Sequence, residues 1–169
     1  MHKKTGTILA AATAAALTGG LLVAAAGPVA AAPGTDGDFD GDGHDDLVVG
    51  APGEDLDGIK DAGMVSVIHG FEGGLSETGT QALEQGTPGV PGNSEENDGF
   101  GGEVLLSDVT GDGRADLTVG VPWENSANGY AVVFESDGSR IGTAGRGIGL
   151  TDAGLSSEGY PLFGFHVNG

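Results

Sequence analysis

Two acidic loops with the same residues at the same spacing limit what this chain can fold into more than any other feature. Asp38-Phe39-Asp40-Gly41-Asp42-Gly43-His44-Asp45-Asp46 and Asp108-Val109-Thr110-Gly111-Asp112-Gly113-Arg114-Ala115-Asp116 each run into a short apolar segment, Leu47-Val48-Val49 and Leu117-Thr118-Val119. Carboxylates at loop positions 1, 3, 5 and 9 converge on one point only if the backbone turns sharply, and Gly41 and Gly43 permit that turn. The first loop thus offers Asp38, Asp40, Asp42 and Asp46, with the carbonyl of His44 at position 7. The second offers Asp108, Asp112, Asp116 and the carbonyl of Arg114, with Thr110 in place of Asp40, so one charge fewer predicts weaker binding. An all-oxygen donor set selects a hard cation, Ca2+, over zinc or copper.

A helix-loop-helix calcium site requires a bidentate Glu at position 12 followed by a helix. Here position 12 is Val49 or Val119, inside runs that read as short buried strands. The remaining alternative is an ordinary Asp-Gly hairpin tip, and it explains one copy better than two copies at the same spacing.

Sliding the chain by 70 residues superimposes Asp38 to Glu54 on Asp108 to Glu124. A second strand follows in each copy, Met64-Val65-Ser66-Val67-Ile68 and Tyr130-Ala131-Val132-Val133-Phe134, each preceded by a glycine. A Phe-Gly pair, Phe100-Gly101, stands eight residues ahead of the second loop, and another, Phe163-Gly164, lies near the end. The 35 glycines fall between apolar runs, which suits a turn-rich all-β repeat rather than a disordered chain.

Residues 1–32 read as a secretory signal peptide. Lys3 and Lys4 precede a long Ala/Leu/Val stretch, with cleavage expected near residues 30–32, so the chain is expected to be secreted and extracellular. Removing that segment leaves 25 acidic residues against Lys60, Arg114, Arg140 and Arg146, a formal charge of −21. Nucleic acid is excluded as a partner by that charge, and compaction is expected to depend on calcium. Without cysteine, disulfides and thiol chemistry are excluded too.

The Phe-Gly pair, the Asp-rich loop and Gly50-Ala51-Pro52 together resemble the FG-GAP repeat of integrin α-subunits and of secreted bacterial proteins; the second copy departs mildly, with Gly120-Val121-Pro122. The resemblance implies a β-propeller, typically of seven blades of four antiparallel strands, with calcium loops on one rim. It implies ligand roles for Asp38, Asp40, Asp42, His44 and Asp46, and for Asp108, Thr110, Asp112, Arg114 and Asp116. The expected organisation is a first repeat over 33–99 that lacks its opening strand, a second over 100–162, and the start of a third over 163–169. About two blades cannot close a ring, so a shortened member of a longer family, or self-association through unpaired blade edges, is expected.

Other chemistry finds little support. The histidines share no spacing, and His69 and His166 read as ordinary strand-end residues. No Gly-x-Ser-x-Gly occurs. Gly145 to Gly149 lacks the strand and helix that a phosphate turn needs. For Trp123, the sole tryptophan, packing against the next blade is favoured over stacking on a ligand such as a sugar ring. These readings lead to a non-catalytic binding or adhesion module for an unknown protein or carbohydrate. The alternatives are an accessory portion of a secreted hydrolase and a non-functional truncated product.

Overall fold

The computed structural model describes residues 37–167, so the expected signal peptide and the last two residues lie outside the described region. The fold is all-β. A three-stranded sheet is built from β1 (Leu47–Ala51), β2 (Met64–Phe71) and β3 (Gly74–Leu83), and a four-stranded one from β4 (Glu103–Ser107), β5 (Asp116–Val121), β6 (Tyr130–Phe134) and β7 (Arg146–Gly149). Each sheet is an antiparallel meander in chain order, as partial FG-GAP blades would be. Among the described residues no helix is long and apolar enough to cross a membrane.

Register fixes which side chains meet. Leu47 pairs with Ile68 and Val49 with Ser66 in the first sheet, while Leu117 pairs with Phe134 and Val119 with Val132 in the second. β1 and β5 are therefore counterparts, as are β2 and β6. Strand alternation sends Val48, Val65 and Val67 to one face of the first sheet. That face packs against the Leu117, Val119, Val121, Val132 and Phe134 face of the second. Phe100 and Phe134 meet edge to face at 6.5 Å within this core. A buried side chain ties the sheets at their outer side: Gln81 Nε2 donates to the carbonyl of Ile141 at 2.8 Å, and the Ile141 amide donates to Gln81 Oε1 at 2.9 Å.

The Phe-Gly pairs seat each following segment on the blade before it. Phe100 donates to the carbonyl of Ala62, and Phe163 to that of Asn128. A Cβ at Gly50 would lie 2.1 Å from the carbonyl oxygen of Gly101, and one at Gly120 1.9 Å from that of Gly164. Only glycine allows this approach of two backbones. The Gly of Gly-Ala-Pro and the Gly of Phe-Gly are thus two halves of one contact.

Three local features lie beyond the repeated motif. Glu124–Ala127 is a tight turn in which Asn125, Ser126 and Ala127 all have positive φ, 54°, 62° and 64°. Left-handed backbone in non-glycine residues costs on the order of 1–2 kcal/mol each; here the turn presents the carbonyls of Ala127 and Asn128 to the amides of Leu162 and Phe163. The benzo ring of Trp123 lies over Gly99, ahead of β4, and the residue is 43% exposed. The Gly-rich stretch 145–149 contributes β7 itself.

Candidate metal centre

Both acidic loops sit at the start of a strand, β1 or β5, beside the end of the next, β2 or β6. Their internal geometry follows from backbone amides caught by carboxylates. Asp38 Oδ1 accepts from Gly41 at 2.6 Å and Oδ2 from Gly43 at 2.9 Å; Asp108 does the same with Gly111 at 2.6 Å and Gly113 at 2.9 Å. Gly41, Gly43, Gly111 and Gly113 all have φ between 79° and 90°, which makes the coil tight. Asp42 and Asp112 each accept the amide two residues on, from His44 and Arg114.

Asp46 and Asp116 act as clamps. Asp46 Oδ2 accepts from the Phe39 amide at 2.8 Å and Oδ1 from the Gly70 amide at 2.7 Å. Asp116, 1% exposed, accepts from Val109 and Thr110 on one oxygen and from Ser136 on the other. Each position-9 carboxylate thereby pins its loop to the far end of the second strand of the same sheet, at Gly70 within β2 and at Ser136 just after β6. Burial pushes the Asp46 carboxyl above its ordinary range; the Gly70 and Phe39 amides oppose the rise, Asp40 adds to it and His69 opposes it.

In the first loop Asp38, Asp40 and Asp42 each bring a carboxylate oxygen within 4.8 Å of the others. Asp40, Asp46 and His69 form a second such group. His69 Nδ1 lies 3.0 Å from Asp40 Oδ2, and its ring meets Phe39 edge to face at 4.8 Å. His69 stands near the end of β2, and from there its ring reaches the first loop. Because Leu47 pairs with Ile68, the residue after Ile68 must flank the loop that precedes Leu47, a placement visible only once the register is known. His166 likewise has a partner, Glu103 Oε2 at 2.9 Å from Nδ1.

The second loop gathers its acids less tightly. Among the described residues no triplet of acidic or imidazole groups converges there. Thr110 brings no charge, and the Arg114 guanidinium binds Asp112 Oδ2. The carbonyls of His44 and Arg114 accept no hydrogen bond among the described residues, so both remain available at position 7. The first loop's donors, three converging carboxylates with no basic residue paired to Asp38 or Asp42, fit a hard divalent cation. In the second loop the donor set is poorer by one carboxylate and already carries a cation of its own.

Sequence reading missed one more polar group. Glu124, 6% exposed, accepts from Gln85 Nε2 at 2.6 Å, and Asp98 is 3% exposed nearby. Burial raises the Glu124 carboxyl; the Gln85 contact opposes this, and Asp98 and Glu95 add to it. Gln85 Oε1 is buried without a partner.

Parts of the chain are similar to segments of known proteins. The chain is 32% identical to integrin alpha-PS2 of Drosophila melanogaster over 140 residues, 78% of this chain and 10% of that protein. It is 36% identical to phosphatidylinositol-glycan-specific phospholipase D of Mus musculus over 104 residues, 59% of this chain and 12% of that enzyme. The human phospholipase of the same name is 35% identical over 88 residues, 52% of this chain and 10% of the enzyme. The chain therefore spans about a tenth of the length of these relatives. The family model for the FG-GAP repeat matches residues 29–68 and 100–134, the two stretches that hold the acidic loops and the strands after them. Both acidic-loop segments of this chain are thus similar to the FG-GAP repeat.

Proposed function

We propose that this chain is a secreted, calcium-binding and non-catalytic module whose FG-GAP blades present a surface to a protein or carbohydrate partner. The observation that carries the reading is the convergence of Asp38, Asp40 and Asp42 within 4.8 Å in a glycine-shaped loop. Asp38, Asp40, Asp42 and the His44 carbonyl would hold Ca2+ in the first loop, with Asp46 fixing the loop to Gly70 and His69 orienting Asp40. Asp108, Thr110, Asp112 and the Arg114 carbonyl would do so in the second, with Asp116 as the clamp. Bound calcium would supply positive charge to a chain of formal charge −19, relieving self-repulsion at the rim. Secretion is supported by the basic and then apolar character of residues 1–32. The proposed repeats remain 33–99, 100–162 and the beginning of another at 163–169.

Calorimetric titration with CaCl2 tests this on the parent, Asp42→Ala and Asp112→Ala. Loss of the tighter event in the first variant and of the weaker one in the second is expected; variants that bind as the parent does would show the ligand assignment to be wrong.

The likeness to the phospholipases favours a second reading, an accessory blade region within a larger secreted hydrolase. Self-association is a further proposal about partners, supported by the exposure of Leu47 and Val49 on the outer face of the first sheet. Sedimentation in calcium tests it, since a monomer at all concentrations would rule it out.

A further inference from the structure

The rim opposite the metal loops holds a cavity of about 360 Å³ lined by Pro52, Gly53, Asp61, Asn97, Gly99 and Trp123. It lies where the Phe100-Gly101 segment seats on the first sheet, and its polar groups exceed what that seating requires. The seating contact is the Gly99 amide donating to the Asp61 carbonyl at 3.1 Å; its counterpart in the second sheet is the Leu162 amide donating to the Ala127 carbonyl at 3.2 Å. Asp61 and Ala127 both have positive φ, as do Gly99 and Leu162, so the backbone is the same device twice. The side chains differ. Where the second copy has Ala127 and Leu162, the first has a carboxylate and a glycine, and the fold demands neither.

Gly99 has a specific consequence. A Cβ there would fall 2.5 Å from Cε3 and 2.6 Å from Cζ3 of Trp123, so glycine lets the indole rest on the backbone and keep 43% of the residue exposed. Pro52 supplies a second apolar wall. The Asn97 carboxamide and the Trp123 indole N–H make no hydrogen bond among the described residues. Asp61 keeps Oδ1 uncommitted, Oδ2 being held by the Lys60 ammonium. A half-exposed aromatic ring, one acceptor-only carboxylate, one carboxamide with donor and acceptor, and one indole donor therefore converge on a space at the small end of ligand pockets.

The chemistry narrows the ligand. Lys60, the nearby base, is already paired, and the chain's formal charge is −19, so anions are repelled. A purely apolar ligand would leave Asp61 Oδ1 and the Asn97 carboxamide desolvated without partners. A ring with an apolar face and a rim of hydroxyls satisfies both requirements. We propose that the Trp123 cavity binds a neutral carbohydrate ring, its apolar face stacked on the indole and its hydroxyls shared between Asp61 and Asn97. This rests on the reading of the chain as a non-catalytic binding module and is independent of cation binding.

Trp123 is the only tryptophan, so its emission reports this cavity alone. The full chain is titrated, with calcium and with EDTA, against methyl β-glucoside, methyl β-galactoside, methyl α-mannoside, N-acetylglucosamine and tetramethylammonium. A saturable emission change at millimolar concentration of at least one sugar is expected. Asn97→Asp and Asp61→Asn, which tolerate the same positive φ, should each weaken it about tenfold, one hydrogen bond lost, with the unliganded emission maximum unchanged. Absence of a saturable response to every sugar, a response to tetramethylammonium alone, or undiminished parental affinity in either variant would overturn the site. Titration with p-nitrophenyl glycosides separates the two readings: release of nitrophenol would break the non-catalytic module, whereas binding without release sustains both. Should a variant fail to fold, the other still decides the matter.

Discussion

Counterpart residues in the two sheets have opposite surroundings. Leu47 and Val49 on β1 are 39% and 45% exposed, while Leu117 and Val119, at the same positions on β5, are fully buried. At position 2 of the acidic loops the contrast reverses: Phe39 is fully buried, and Val109 is 56% exposed. Both follow from one rule. A strand's Leu-x-Val face is covered by the sheet before it, and the loop's second residue is covered by the sheet after it. Phe39 accordingly accepts from Ser136 Oγ of the second sheet through its carbonyl, and the carbonyl of Asp38 accepts from the amide of Ala115 at 2.8 Å. Similar sequence therefore acquires energetic meaning only from its neighbours, which is what a stacked-repeat architecture entails.

The sharpest way to break this comparison is truncation of the buried partner in each pair. Phe39→Ala should cost about 3–5 kcal/mol and Leu117→Ala about 2–5 kcal/mol. Val109→Ala and Leu47→Ala should each stay within about 1 kcal/mol, since exposed positions have little burial to lose. Urea unfolding with a constant slope measures all four. Equal losses within either pair would mean that the two sheets do not stack as described.

The loops themselves come next in size. If the first binds calcium as proposed, saturating it a hundredfold above its dissociation constant should add about 2.7 kcal/mol to stability, read as a rise in thermal midpoint. Asp42→Ala should remove most of that rise and Asp112→Ala a smaller part. Thr110→Asp restores the carboxylate that distinguishes the loops, and Arg114→Ala frees Asp112 from its guanidinium. Each should tighten the second site about tenfold by calorimetry, on the order of 1.4 kcal/mol. If neither does, the difference between the loops lies elsewhere than in charge count.

Much of this was legible because short-range spacing encodes it. The acidic loops, β1 and β5, and β2 and β6 follow from Asp-Gly turns and β-branched alternation confined to a few residues. The outer strands were not legible: β3 is Gly-Leu-Ser-Glu-Thr-Gly-Thr-Gln-Ala-Leu, and most of its side chains are exposed, so it has little hydrophobic period to read. β7 spans only Arg146–Gly149 and has two glycines among its four residues. The site was half legible. Asp38, Asp40 and Asp42 are neighbours in sequence, whereas His69 reaches Asp40 across 29 residues and Gln85 reaches Glu124 across 39. Such contacts depend on register and on the path of the connecting loops, and neither is written in local composition.

Glu54 and Glu124 give the finest test of the comparison, because they too are counterparts. Glu54 is exposed; Glu124 is buried beside Asp98 with a partnerless Gln85 Oε1 next to it. The folded Glu124 carboxyl titrates above its ordinary value of 4.5, so between that value and the folded one the native chain holds a proton that the unfolded chain has released. Stability from this group is therefore present at low pH and is lost as pH rises through that window. Glu124→Gln removes the ionisation and adds an N–H2 able to donate to Gln85 Oε1. It should stabilise the chain by about 1 kcal/mol at pH 7 and by progressively less as pH falls toward 4.5. Glu54→Gln should change stability by less than about 0.5 kcal/mol at either pH. Thermal unfolding of the two variants at pH 7 and pH 4.5 separates the cases. Destabilisation by Glu124→Gln at neutral pH would show that the buried carboxylate is held as an anion, and that burial does not govern its charge.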